Sequence, residues 1–423
     1  MPNPLGFPKR IWRRLRVKIF TTYIYVSAWL EYGLSAQGRR AGVMKRLREM
    51  PTRAASRSSA EPASKIAIFV AYTPTLTLSN EAYIKTLNKA GFSVIYISNC
   101  KLEPDAAVAI GALVWRLFER HNLGRDVGGF RDGVLLLERD GLLKSCQTLL
   151  IANDSMQFIP GANAESLVQA LHRFDSDASD GLFSHISQAF GTHYQSYFQV
   201  VGKTILDSPE FIQFWHDYRP LSHRGHCIFN GEIALSTKVY RRFKRVDVLY
   251  TSETLQQALK RAYKDSPGVP ASEIMRLVPS PARTVQRRKT GYSLEQLLRR
   301  ADKGEIVAFW ELDWLADLIE ANNPSHVAAF LFPIYLGCPL VKQDLCMAGS
   351  FTIAQAISLF REALERSAAG SDEPIDINAH VQEYADMLYR RGTPMSYIDR
   401  PLESALKGIT GGFVYAATYD GNL

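Results

Sequence analysis

Cysteine is scarce in this chain. Its 423 residues hold five, Cys100, Cys146, Cys227, Cys338 and Cys346, far apart and without a C-x-x-C pair or histidines at metal spacing. That argues against a disulfide scaffold and a structural zinc site, and it suits reduced thiols in a reducing cytosol. Long apolar runs are missing as well. The amino-terminal run 19–30 spans 12 positions and includes Thr21, Thr22 and Ser27, whereas a membrane-spanning helix needs roughly 20 apolar residues. Acidic residues are nearly absent from the first sixty positions. Glu31 and Glu49 stand there against 13 Lys and Arg, a net of +11, so the rest of the chain carries −3 of its overall +8. The basic character therefore belongs to one end, and the body is close to neutral.

What is present is an ordinary globular balance, 46% apolar and 22% charged, enough for two or three cores. The basic end has its own design. Lys9, Arg10, Arg13, Arg14, Arg16 and Lys18 precede Phe20, Tyr23, Tyr25 and Trp29. Cations beside an aromatic, moderately apolar segment suit an anionic leaflet, with rings among the headgroups. A signal peptide shares the charged start, but Glu31 follows and no small-x-small cleavage site is evident. A disordered tail is the plain alternative. Nucleic acid is not expected as a partner, because the neutral body offers no second basic face. Residues 51–64, rich in Ala, Ser, Arg and Pro, read as a linker.

From Lys65 the pattern changes. KIAIFVAY (65–72) is a buried-looking strand, 79–90 has helical spacing and stops at Gly91, and 92–98 is a second apolar strand. Strand–helix–strand of this length implies a parallel pair with a right-handed crossover. Residues 114–118 read as a third strand, and 149–152 (LLIA) as a fourth that ends in Asn153-Asp154-Ser155. Open α/β sheets bind ligands beyond the carboxyl ends of their strands.

Between the third and fourth strands lies HNLGRDVGGF (121–130). Gly124, Gly128 and Gly129 let the backbone turn tightly and approach a ligand. A helix starting near Phe130 would present its amino end to phosphate. Arg125 can grip a phosphate as a planar fork, and Asp126 can accept from a base or ribose hydroxyl. The plain reading is a structural turn. Asp154 at a strand end suits a divalent ion held against a diphosphate; otherwise it caps the next turn. Asn153 can bind a ribose hydroxyl. A literal Asp-x-Asp, Asp175-Ser176-Asp177, follows a helical stretch (164–174) and reads as an exposed turn instead of a metal site.

Further on, HYQSYFQVV (193–201) alternates Tyr194, Ser196 and Phe198 against Gln195, Tyr197 and Gln199. One wet face of such a strand can line a cleft, with His193 and Gln195 toward a sugar. Aromatic residues at helical spacing in DSPEFIQFW (207–215) read as core. Glu232 in FNGEIALS is an acidic group 78 residues past Asp154, at the start of an apparent helix. It either takes the proton of an acceptor hydroxyl or offsets a helix dipole. Residues 265–291 are proline-rich and read as a boundary. Pro339-Leu340-Val341-Lys342 can bring Lys342 near the cleft, but the plainer reading is an exposed lysine. Two amphipathic helices (352–368 and 378–391) follow, plausibly a packed pair.

Taken in order, GRDVGGF, the strand leading to NDS, HYQSYFQVV with SPEFIQFW, and NPSHVAAFLFPIYLGCPLVKQDLC resemble the rhamnan synthesis F family, bacterial proteins associated with rhamnose-containing surface polysaccharides. The resemblance covers roughly residues 65–350. More distantly, NLGRDVGGF followed by LLIANDS is similar to the glycine-rich and acidic-triplet order of inverting GT-A glycosyltransferases.

The resemblance implies an α/β fold: a GT-A-like, Rossmann-type, mostly parallel sheet flanked by helices, with a helical C-terminal region. It divides the chain into a basic membrane-associating segment and linker (1–64), a nucleotide-sugar domain (65–265), a proline-rich boundary with a family block (266–350) and a helical tail (351–423). The implied activity is an inverting hexosyl transfer, with a rhamnosyl group the expected cargo, from a nucleotide-diphosphate donor (dTDP-rhamnose or GDP-rhamnose) to a lipid-linked O-antigen or rhamnan-type glycan. Glu232 and His193 are the expected catalytic residues. Asn122, Gly124, Arg125, Asp126, Gly128, Asn153 and Gln195 are expected to hold the donor, and Asp154 a Mg²⁺ or Mn²⁺ ion. The expected location is cytoplasmic, on the inner face of the plasma membrane. Asn153-Asp154-Ser155 departs from the superfamily's acidic triplet, which keeps a second reading open, an inactive scaffold or binding subunit of a polysaccharide assembly complex.

Overall fold

The computed structural model describes residues 47–52, 64–174, 178–188, 191–265, 271–279, 282, 293–303, 313–320 and 322–391, together with Thr22, Val26, Trp29 and Leu30. Most of the expected membrane-associating segment, most of the 51–64 linker, Asp175-Ser176-Asp177 and most of the proline-rich stretch lie outside the described residues.

Eight strands form the central sheet: β1 (Leu47–Met50), β2 (Lys65–Ala71), β3 (Ser93–Ser98), β4 (Arg116–Arg120), β5 (Thr148–Asn153), β7 (Gly181–Phe183), β10 (Phe198–Gly202) and β11 (Val246–Val248). Their order is β1-β4-β3-β2-β5-β10-β7-β11. The run β4-β3-β2-β5 is parallel, with β1 and β10 antiparallel on its two sides. This is the mixed α/β architecture expected. The chain winds from β2 to β3 and β4, then returns to place β5 on the other side of β2. The winding therefore reverses between β2 and β5, and the crevice of an open sheet lies at that reversal.

The apolar runs of β2 and β3 have no polar face because both faces are covered. Ala67, Phe69 and Ala71 join one core, and Ile66, Ile68 and Val70 join the other. The first core is covered by α1 (Leu78–Lys89) and by α4 (Ala162–Arg173), named after α2 (Pro104–Leu113) and α3 (Arg125–Arg139). Thr77 caps α1 by accepting from the Asn80 amide. The second core is covered by α3 and α5 (Pro209–Asp217), the latter capped by Ser208 with Pro209 behind it. Phe211 and Trp215 are buried there, as the spacing predicts.

Four expectations shift. The third strand runs from Arg116 to Arg120, two residues later than the apolar pattern suggests. It carries buried Glu119 and Arg120 because both are partnered: Glu119 accepts from the Leu102 amide, and Arg120 pairs with Asp132. The helix after the glycine turn begins at Arg125, so Gly128 and Gly129 lie inside it. The reason is packing. A Cβ on Gly129 would meet Val70 of β2 at 2.7 Å, and one on Gly128 would meet the Leu123 carbonyl at 2.2 Å. The expected wet strand at 193–201 divides into β9 (His193–Tyr194) and β10, with a turn at Ser196-Tyr197. Glu232 lies within a π-helical segment, Cys227–Ile233, not at a helix start. Gly231 lets that segment close on α3, where a Cβ would stand 2.9 Å from Val127.

The C-terminal helices, α7 (Ile353–Ala369) and α8 (Ile377–Arg391), numbered after α6 (Ser252–Asp265), form the expected pair, with Phe360 and Tyr384 ring centroids 4.3 Å apart. They dock on the α/β body: Glu383 of α8 accepts from the Leu78 and Ser79 amides at 2.5 and 3.0 Å, capping α1. Just before them, β12 (Leu340–Lys342) pairs antiparallel with β6 (Met156–Phe158), which follows the Asn-Asp-Ser turn.

Candidate active site at the end of the fifth strand

The glycine turn is anchored from beneath. Arg120 donates through Nη2 to the Leu123 carbonyl at 2.6 Å and through Nη1 to Asn99 Oδ1 at 2.5 Å. Asn99 in turn donates to the Arg125 carbonyl. Gly124 takes φ +74°, and its missing Cβ makes room for Pro220, which would stand 2.5 Å away. Arg125 follows at φ +57°, the one positive φ of a non-glycine among the described residues. Strain of this kind needs surroundings that over-determine it, and the carbonyl clamp supplies them. The Gly124 amide donates to Ser222 Oγ at 3.2 Å. Gly128 is buried against its own turn, which fits a packing role.

Asp126 and the Asn153-Asp154-Ser155 turn meet directly. Asn153 Nδ2 donates to Asp126 Oδ2 at 2.7 Å, while Asn153 Oδ1 accepts from the Ser155 amide and hydroxyl. The Asp154 amide donates to the Val70 carbonyl, and Asp154 Oδ2 accepts from the Tyr72 amide at 2.7 Å. Asp154 thus straddles the β2/β5 crevice. Burial pushes its carboxyl up to about 6; Asp126 adds to the rise, while the Tyr72 amide and Arg391 oppose it. Asn122 places a buried side-chain oxygen without a hydrogen-bond partner beside this turn.

The carboxylates do not fit the Mg²⁺ or Mn²⁺ expected from the resemblance. One is Asp154, with one oxygen engaged. The other, Asp126, has both oxygens engaged, by Asn153 and by the Val127 amide. No three His, Cys, Asp or Glu side chains among the described residues group as metal ligands. A hard divalent ion wants free oxygens.

The family block supplies the other wall. Lys342 Nζ lies 3.4 Å from Ser155 Oγ and 4.9 Å from the Tyr197 ring centroid. Its side chain is half-buried, not exposed. Asp344 pairs with His326 at 2.9 Å and Arg224 at 3.4 Å. Burial pushes Asp344 up, but His326, Lys342 and Arg224 hold it well below the usual carboxylate range.

The structure brings His193, Gln195 and Glu232 together. His193 Nε2 stands 3.1 Å from Glu232 Oε1 and 3.0 Å from Gln195 Nε2, and its Nδ1 donates to the Gly191 carbonyl at 2.7 Å. Ser196 gives Glu232 Oε2 both its amide (2.8 Å) and its hydroxyl (2.5 Å). Burial lowers His193, yet Glu232 and the Gly191 carbonyl raise it above its ordinary value. Burial raises Glu232, yet His193 and Ser196 bring it below its ordinary value. Each group thus favours the charged form of the other. The pair joins the donor side through Tyr197, which feels Glu232's charge and lies under Lys342.

Residues 94–272 match the rhamnan synthesis protein F family, so the resemblance read from the sequence holds over that region. An uncharacterized protein of Sinorhizobium fredii, y4gN, is 27% identical over 198 residues, 46% of this chain and 51% of that protein. The chain thus spans about half the length of that relative. Among solved structures, the glycosyltransferase GlyE of Streptococcus pneumoniae TIGR4 aligns at 9% identity with a TM-score of 0.26, over 60% of this chain and 64% of that one.

Proposed function

We propose that the chain is a glycosyltransferase of polysaccharide synthesis that binds a nucleotide-diphosphate sugar at the β2/β5 crevice. The carrying observation is the Asp126–Asn153–Ser155–Lys342 chain of contacts, with Tyr197 lying under Lys342 and within reach of the Glu232 charge. Polar and cationic groups for a nucleoside diphosphate stand on one side, and a carboxylate for an acceptor hydroxyl on the other. That layout, together with the rhamnan synthesis match, supports transfer from a rhamnose donor, dTDP-rhamnose or GDP-rhamnose, to a lipid-linked glycan.

Arg125 grips phosphate, Asn122 and Asp126 take base or ribose groups, and Gln195 bonds the sugar. Glu232 takes the acceptor proton in an inverting displacement, and His193 orients it. The basic residues 9–18 hold the enzyme at the anionic cytoplasmic leaflet. None of the helices among the described residues is long and apolar enough to cross a membrane, so such contact is peripheral in this reading.

Titration of nucleotide-sugars into the full chain tests the reading. Binding of one rhamnose donor supports it, and a folded protein that binds none sinks it. The scaffold reading also has an observation in its favour: Glu232 is already paired and its carboxyl is lowered, which weakens it as a base. Turnover separates the two. Glu232→Gln should cut turnover by about 10²-fold or more while donor affinity holds. A donor-binding protein without turnover favours the scaffold.

A further inference from the structure

We infer that this crevice neutralises a nucleoside diphosphate with its own cations, Lys342 and Arg125, and needs no divalent metal. The inference rests on the donor-site reading above and makes that reading more specific. A half-buried cation usually faces a carboxylate. Lys342 does not: among the described residues no carboxylate lies within ion-pair distance of its ammonium, and its contacts are Ser155 Oγ and the Tyr197 ring. The nearest acidic group in its own segment, Asp344, is engaged by His326 and Arg224. The Arg125 guanidinium likewise has no hydrogen-bond or ion-pair partner among the described residues, although its backbone is held in a left-handed conformation by Arg120 and Asn99.

The two cations lie on elements that meet at the Asn153-Asp154-Ser155 turn. Arg125 adjoins Asp126, which binds Asn153, and Lys342 touches Ser155. Two cations with no ion-pair partner within reach among the described residues offer a diphosphate direct contacts that the hydrogen-bonded carboxylates Asp126 and Asp154 do not take. The acidic groups point the same way. Their oxygens are mostly engaged, so a divalent ion would have to displace hydrogen bonds and then sit among positive charges. Arg391, whose charge also reaches Asp154, adds to that repulsion.

The test is calorimetric titration of UDP, GDP and dTDP into the full chain, with chelator and with Mg²⁺. The expected result is one nucleoside diphosphate whose affinity is unchanged by chelator. Lys342→Met should weaken it about ten- to hundredfold, the worth of one charge-assisted hydrogen bond, while the unphosphorylated nucleoside binds as before. Lys342→Arg should keep most of the affinity. Binding that appears only with Mg²⁺ overturns the inference and leaves the donor-site reading standing. Binding indifferent to Lys342→Met overturns it too. No binding in either condition overturns both. Should Lys342→Met fail to fold, Lys342→Gln, which keeps a donor near Ser155, is expected to show the same loss; unchanged affinity there overturns the inference.

Discussion

Arg120 and Lys342 are both cations at the carboxyl edge of one sheet, and the fold treats them in opposite ways. Arg120 has no exposed side-chain surface, faces an equally buried Asp132, and spends its remaining donors on Asn99 and two carbonyls. Lys342 is half-buried and touches a hydroxyl and a ring. The first charge is saturated by the protein and shapes the glycine turn; the second keeps its field for something that arrives. Saturation, more than position, separates the charges that build this crevice from those that can bind in it. Glu232 and His193 stand between these extremes, paired with each other but at the crevice wall.

The comparison breaks most visibly at Arg120. Arg120→Met takes from the buried Asp132 its 3.1 Å partner, leaves Arg131 at 3.4 Å on the other oxygen, and should lower stability by about 3 kcal/mol, read as a fall in the denaturant midpoint. A midpoint near wild type would remove the distinction between the two cations. By contrast, Lys342→Met should stay within about 0.5 kcal/mol of wild type. Gly128→Ala comes next. Its new methyl would meet a backbone carbonyl that cannot step aside, and a loss of about 1–3 kcal/mol is expected, with the glycine turn displaced.

The intermediate pair has a pH signature. His193 is raised on folding, so its contribution is present below its unfolded value of about 6.5 and lost as pH rises through the higher folded value. Glu232 is lowered, so its contribution is present above about 4.5 and lost as pH falls through the lower folded value. The couple therefore stabilises most between those limits. The stability gap between wild type and Glu232→Gln should be widest near about pH 5.5 and shrink by about pH 9. A gap that does not change with pH would mean His193 stays neutral beside Glu232.

Much of this was legible in the residues. KIAIFVAY and LLIA are continuous apolar runs because parallel strands are buried on both faces, and that signal survives without any knowledge of partners. The glycine turn, Asp126, Asn153, His193 and Glu232 are nameable from the sequence because small and polar residues interrupt apolar patterns, but the His193–Glu232 contact is not. The third strand reads two residues early because Glu119 and Arg120 look like surface residues until Leu102 and Asp132 are seen beside them. Gly128 looked like a ligand contact, although its absent side chain lets a helix begin against its own turn. Lys342 reads as exposed in the sequence because its place depends on Ser155, which lies 187 positions away; periodicity carries no information about such a partner.

The smallest expected effect concerns the most literal motif. Asp175-Ser176-Asp177 has the spelling of a metal site, yet its described neighbours sit at the wrong edge of the sheet. Phe174 packs against Gly202, and Gly202 pairs with Thr148 at the start of β5. Gly181 pairs with Val201 at that same edge. Asn153 lies at the other end of β5, about 17–20 Å along the strand. Replacing both aspartates by alanine should therefore leave nucleoside-diphosphate affinity unchanged, with or without Mg²⁺, in the same titration that Lys342→Met fails. If the double variant instead lost a metal-dependent affinity, the diphosphate would have to bind away from the β2/β5 crevice, and the partnerless cations there would need another occupant.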